Sequence, residues 1–106
     1  MSHFLEVFMV ASQQLSRDQV LVKVKVIIAN SLAISVVDVQ EGALLVGDLR
    51  ADGLDLLDIM HKVNVAFECE LLTVEEIGRI RDYSDACANI TVRDIVDRVM
   101  SWADRV

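Results

Sequence analysis

Four aspartates, Asp48, Asp52, Asp55 and Asp58, fall within eleven residues of this 106-residue chain and surround a glycine, Gly53. The last three recur every third position, a spacing that makes their carboxylates neighbours on a helix. Such a cluster can bind a divalent cation, cap the helix that follows, or present negative charge to a basic partner. Calcium binding can be tested from the spacing. Asp48, Asp52 and Gly53 occupy the first, fifth and sixth positions of a twelve-residue loop, but the third is Arg50 and the twelfth is Ile59. A calcium loop needs an oxygen ligand at the third position and a bidentate Glu at the twelfth. What remains is a weak divalent site or, the preferred reading, a solvated acidic face.

The other reactive side chains are sparse. Two histidines, His3 and His61, and two cysteines, Cys69 and Cys87, 18 positions apart, are too few and too scattered for the four convergent ligands of structural zinc. No metal site is expected, and the cysteines read as buried free thiols. No Ser-His-Asp or Cys-His arrangement has support, and two histidines leave little choice of general base, so the chain is not expected to be an enzyme. His61 lies two helical turns beyond Gly53 on roughly the same face. It either contacts a partner or sits at the edge of the core, and the core edge is preferred.

Composition bounds the class. Seventeen acidic residues against ten basic ones leave a net charge of −7. Phosphate is repelled by that field, so nucleic acid is disfavoured and a basic protein partner is the natural complement. Apolar residues make up 54% of the chain, too many for a disordered tail. At this length one domain is expected, spanning 1–106. Apolar runs such as Val26-Ile27-Ile28-Ala29 are far too short to cross a bilayer. The N-terminal patch Phe4-Leu5 and Val7 to Ala11 is interrupted by Glu6 and has no basic residues before it, so no signal peptide is read there. A cytoplasmic monomer is the expectation. With no proline and four glycines, a helical bundle fits better than a turn-rich β domain.

The elements that would position the acidic cluster follow from periodicity. Val22 to Val26 alternates with lysines as a half-buried strand would, yet Val20, Val24, Ile27, Ile28, Ser31 and Leu32 also share one helical face. Ser16 with Gln19 makes a capping box, and a lone strand would lack a partner, so the segment reads as a helix. Ser35 to Leu49 reads as a long loop broken by Gly42 and Gly47 and anchored by Val39, Leu44, Leu45 and Leu49. Asp52 is placed to cap a helix whose stripe is Leu54, Leu57, Met60, His61, Asn64 and Phe67. Thr73 with Glu76 signals a further helix through Ile77 and Ile80. Asn89 or Thr91 caps a last one, burying Val92, Ile95, Val96, Val99 and Trp102 or Ala103. The sum is an all-α bundle of four helices with a long loop between the first two.

The run Asp48-Leu49-Arg50-Ala51-Asp52-Gly53-Leu54-Asp55-Leu56-Leu57-Asp58-Ile59 resembles the D-L-x-x-D-S-L-D signature of the acyl carrier protein family. The resemblance extends over roughly residues 20 to 103. Val26 to Ala29 with Leu32 is similar to the end of the family's first helix. Phe67-Glu68-Cys69-Glu70-Leu71 resembles its F-x-x-x-I-P exit from helix two, and Ile90-Thr91-Val92 through Val99 resembles its terminal helix. The resemblance implies a four-helix carrier that shuttles acyl groups as thioesters on 4′-phosphopantetheine between enzymes of lipid, fatty-acid or polyketide synthesis. It also implies that helix two docks on basic surfaces of those enzymes and of a phosphopantetheinyl transferase. By that likeness Asp52, Gly53 and Leu54 form the attachment site. Leu54, Asp55, Asp58 and His61 are docking residues. Leu57, Met60, Val63 and Phe67, with Leu54, form an apolar stripe that is core by default and lines the acyl pocket in carriers.

The chain departs from the family at the attachment point itself. The family's serine is Gly53 here, and glycine has no oxygen to esterify, so the chain as written is expected to stay apo. Two readings are open: a natural loss in a carrier-like interaction or regulatory module, or a substitution in a working carrier. Lys62, Asn64, Val65 and Ala66 stand where acids are common, Leu72 replaces the exit proline, and eighteen residues separate Leu72 from Thr91. These features look more like specialised carriers, such as those serving very-long-chain acyl transfer to lipid A, than housekeeping fatty-acid carriers. The segment through Gln14 lies outside the resemblance; Phe4, Leu5, Phe8 and Met9 have amphipathic spacing, and packing on the bundle and dimerisation are both open to it.

Overall fold

The computed structural model describes residues 16–71 and 89–103. Three helices carry this part of the chain: α1, Arg17–Leu32; α2, Gly53–Phe67; and α3, Val92–Ala103; a short 3-10 turn, Val36–Asp38, lies in the α1–α2 loop. The described residues form no strand, only an isolated antiparallel bridge between Leu44 and Thr91. The helix expected from Thr73 to Ile80 and the segment 1–15 lie outside the described residues.

α1 resolves the strand-or-helix choice. In a strand, Val22, Val24 and Val26 would share one face. Here Val24 is fully buried with Val20 and Ile28, while Val22 and Val26 are exposed. The helix starts at the expected capping box: the Gln19 N–H donates to Ser16 Oγ at 3.2 Å, and the Ser16 N–H donates to Gln19 Oε1 at 2.9 Å. It ends at Ala33, which takes a left-handed φ of 55°.

α1 packs against both α2 and α3. Their inner faces contribute Leu56, Ile59, Met60 and Val63, and Val92, Ile95, Val96 and Val99. Each fully buried aliphatic side chain contributes about 1.5–3 kcal/mol. Thr91 proves to be the cap of α3: the Asp94 N–H donates to Thr91 Oγ1 at 3.1 Å and the Thr91 N–H to Asp94 Oδ2 at 2.9 Å. At the other end Trp102 is half-buried and Ala103 exposed.

The long loop is tied down rather than free. Val39, Leu45 and Ala51 are buried in the common core. Three backbone bonds sew the loop to the start of α3: Leu45 N–H to Ile90 O at 3.0 Å, Val92 N–H to Ala43 O at 3.1 Å, and Arg93 N–H to Glu41 O at 2.9 Å. Side chains add to this seam. Glu41 accepts from Arg17 of α1 and, at 3.4 Å, from Arg93 Nε of α3, while Arg17 also reaches Asp97 at 3.3 Å.

The expected core stripe of α2 needs correction. Leu54 is 78% exposed, and Leu56 and Ile59 are buried in its place. Leu57 and Phe67 are only half-buried at the rim, whereas Met60 and Val63 are fully inside. The cause is the density of apolar residues on this helix. Leu54, Leu56, Leu57 and Ile59 offer two stripes of helical period, and tertiary packing selects the one centred on Ile59 and Val63.

Candidate functional site

The candidate site is the start of α2. Asp52 caps it with Asp55 as reciprocal partner: the Asp55 N–H donates to Asp52 Oδ1 at 2.8 Å, and the Asp52 N–H donates to Asp55 Oδ2 at 3.1 Å. Two of the three regularly spaced aspartates thus satisfy the orphan donors of a helix start, where the dipole also favours negative charge. Asp48 does something else. Its Oδ2 accepts the Leu44 N–H at 2.8 Å and closes the turn before the site. Among the described residues no group of three His, Cys, Asp or Glu side chains gathers to hold a metal ion.

Gly53 is the first residue of α2 and is half-buried. No described glycine has a positive φ, so the backbone at 53 makes no demand for glycine. The left-handed residue near the site is Arg50, at φ 60°, where the chain turns into Ala51. Ala51 is buried and its N–H bonds Leu45 O at 2.9 Å, which fixes the approach of the chain to the cap. Leu54 then projects into solvent beside Gly53.

Asp58 is exposed and already has a partner. Lys62 Nζ lies 2.9 Å from its Oδ2, one helical turn on, and also donates to Ser31 Oγ of α1 at 3.2 Å. The Lys62 ammonium first, then the Ser31 hydroxyl, hold the Asp58 carboxyl below its ordinary range. His61 is exposed, which corrects the core-edge expectation: it stands on the ridge that faces away from Ile59 and Val63. Leu54, Asp58, His61 and Val65 form that ridge, at the i, i+4, i+7, i+11 spacing of one helix face. Of the cysteines, Cys69 is buried as expected, and burial pushes its thiol up. Cys87 and His3 lie outside the described residues.

Sequence reading missed the Lys62 tie to Asp58, although the i, i+4 spacing of acid and base was there to be read. Counting helical turns from the Asp52 cap would also have set Leu54 and Val65 on one face.

The chain is 34% identical over 73 residues to the acyl carrier protein of Thermotoga maritima; the match takes in 64% of this chain and 90% of that protein. It therefore belongs to the acyl carrier protein family, and it is not an enzyme. No protein-family model matches the chain, and no solved structure does. None of the described helices is long and apolar enough to cross a membrane.

Proposed function

We propose that this chain is a carrier-type protein of acyl-chain synthesis whose lineage shuttles acyl groups as thioesters on 4′-phosphopantetheine, and that the chain as written stays apo. The observation that carries this reading is the position of Gly53, immediately after the Asp52 cap and beside the exposed Leu54. That is where the resemblance puts the esterified serine. The residue present does not fit the arm, because a phosphodiester needs a side-chain oxygen and glycine has none. No step through the arm is available to this chain. For the same reason the pocket role of Leu57, Met60, Val63 and Phe67 applies only to a form with a hydroxyl at position 53.

In this reading the protein works in the cytoplasm as a monomer, presents α2 to acyl-synthesis or acyl-transfer enzymes and to phosphopantetheinyl transferase, and belongs to a specialised branch of the family. A second reading, a cargo-free interaction or regulatory module, is favoured by one feature: α2 has no charged residue between Lys62 and Glu68.

Intact masses separate the two. The chain and its Gly53→Ser variant are incubated with coenzyme A and a broad-specificity phosphopantetheinyl transferase. An adduct on the variant alone is the expected result. No adduct on either, with both folded by circular dichroism, would favour the cargo-free module. An adduct on the unsubstituted chain would overturn the placement of the site.

A further inference from the structure

Gly53 closes one chemistry at the start of α2 and opens another. Asp52 is the one aspartate of the chain that is followed by glycine, and no asparagine is. An aspartyl carboxyl carbon and the next peptide nitrogen can close a five-membered ring. The side chain of the following residue normally crowds that approach, and glycine has no Cβ to do so. The other described aspartates are followed by Gln19, Val39, Leu49, Leu56, Ile59, Ile95 and Arg98, whose side chains stand in the way.

Both reacting groups are open to attack. Asp52 is exposed and Gly53 half-buried. Gly53 is the first residue of α2, so no intrahelical carbonyl reaches its N–H, which bonds no acceptor among the described residues. Asn30-Ser31 is the instructive contrast. Asn30 is exposed and serine is small, yet Ser31 lies within α1, whose ladder engages its N–H. One contact restrains Asp52: its carboxylate accepts the Asp55 N–H at 2.8 Å, while its own N–H donates to Asp55 Oδ2 at 3.1 Å. Attack needs Cγ swung towards Gly53 N and the first peptide of α2 turned out of the helix, so the cap must open before the ring closes.

We propose that Asp52-Gly53 is a self-modifying site, in which Asp52 converts to isoaspartate at a rate set by opening of the Asp52–Asp55 cap. Gly53 N bonds to Asp52 Cγ, the nitrogen gives up its proton, and the carboxyl's hydroxyl leaves as water. One water then adds to the succinimide. Addition at Cγ breaks the new C–N bond and restores aspartate. Addition at the main-chain carbonyl breaks the original peptide bond, and the chain then runs on through Cγ. Composition is unchanged, and no oxidant or cofactor is consumed. The isoaspartyl form has one extra methylene in its backbone just before α2, and its free carboxylate hangs on Cα, where it no longer fits the cap. Methyltransferases that esterify isoaspartyl carboxylates from S-adenosylmethionine are the class of partner this product fits. None of this chemistry depends on the carrier reading of position 53.

The test incubates the folded chain in warm neutral buffer beside Gly53→Ala, Asp55→Ala and the parent chain unfolded in guanidinium chloride. After the denaturant is removed, isoaspartate is counted by labelled methyl transfer with an isoaspartyl methyltransferase and located by fragmenting the peptides. In the parent chain it is expected at position 52 and at no other. Unfolding should raise its rate of formation about fivefold, the factor that matches a helix cap of ordinary strength. Asp55→Ala, which leaves one of the two cap bonds, should raise it about threefold. Gly53→Ala should lose it, with circular dichroism unchanged. The converted chain, separated by chromatography, should show a lowered urea midpoint, as the loss of a cap requires. Conversion in the unfolded chain alone, or in neither, overturns the proposal, and so does an equal yield from Gly53→Ala. Isoaspartate at another residue to the same extent also overturns it. An Asp55→Ala rate equal to the parent's overturns the control by the cap.

Discussion

The starts of α2 and α3 are built alike and used differently. Each has a reciprocal cap spanning three positions, Asp52 with Asp55 and Thr91 with Asp94. After the cap of α3 comes Val92, fully buried, and the Leu44–Thr91 bridge and the Arg93–Glu41 contacts cover the turn. After the cap of α2 comes Gly53, followed by Leu54 in solvent. One helix start is sealed against a loop; the other leaves its first apolar side chain in solvent, where we propose the site. A local motif decides where a helix begins, and the residues next to it decide whether that beginning is covered.

The sharpest way to break this comparison is to truncate just inside each start. Ile95→Ala, in the sealed helix, is expected to cost about 2–5 kcal/mol by urea denaturation. Leu54→Ala, at the open one, should stay within about 0.5 kcal/mol. A Leu54→Ala loss of the first size would mean that Leu54 is core and the site is closed.

The caps themselves should behave alike, because capping is local. Thr91→Ala and Asp52→Ala are each expected to cost about 1 kcal/mol. A much larger loss at Asp52 would show that the open end bears tertiary structure as well. At the far end of α2, Glu68 holds a left-handed φ of 51° without being glycine. Glu68→Gly should therefore stabilise the fold by about 1 kcal/mol, read as a raised urea midpoint. No gain would mean that the Glu68 side chain contributes a contact of its own.

The smallest effect is acid sensitivity. Arg17, and after it Arg93, hold the Glu41 carboxyl below its ordinary range, as Lys62 and Ser31 do for Asp58. In both cases the unfolded chain takes up the proton first. The stability they contribute is thus present above the ordinary carboxylate range and lost as pH falls through the lowered folded values. Both groups are solvated, so the loss is slight. Glu41→Gln at the sealed end and Asp58→Asn at the open end should each flatten the acid limb of the stability curve. If Asp58→Asn has the larger effect, the Lys62 tie matters more to the fold than the loop seam.

Much of this was legible in the sequence because it is local. Ser16 with Gln19 and Asp52 both marked helix starts, and the buried faces of α1 and α3 followed from their spacing. The buried face of α2 was not legible, since apolar residues at 54, 56, 57 and 59 satisfy two stripes and only packing against α1 chooses between them. His61 was misplaced for the same reason. The seam between the loop and α3 joins residues some fifty positions apart through backbone groups, which leave no trace in side-chain pattern. At the site, the resemblance drew attention to Gly53, and the structure adds that its backbone makes no demand for glycine.

The central claim, that position 53 is the attachment position of a carrier-type protein, is tested most directly by locating the adduct. The Gly53→Ser variant is loaded with coenzyme A and phosphopantetheinyl transferase, digested, and its peptides mapped by mass. Phosphopantetheine is expected on position 53 and on no other residue. An adduct on Ser31 or Ser35, or one that the unsubstituted chain also acquires, would contradict the claim.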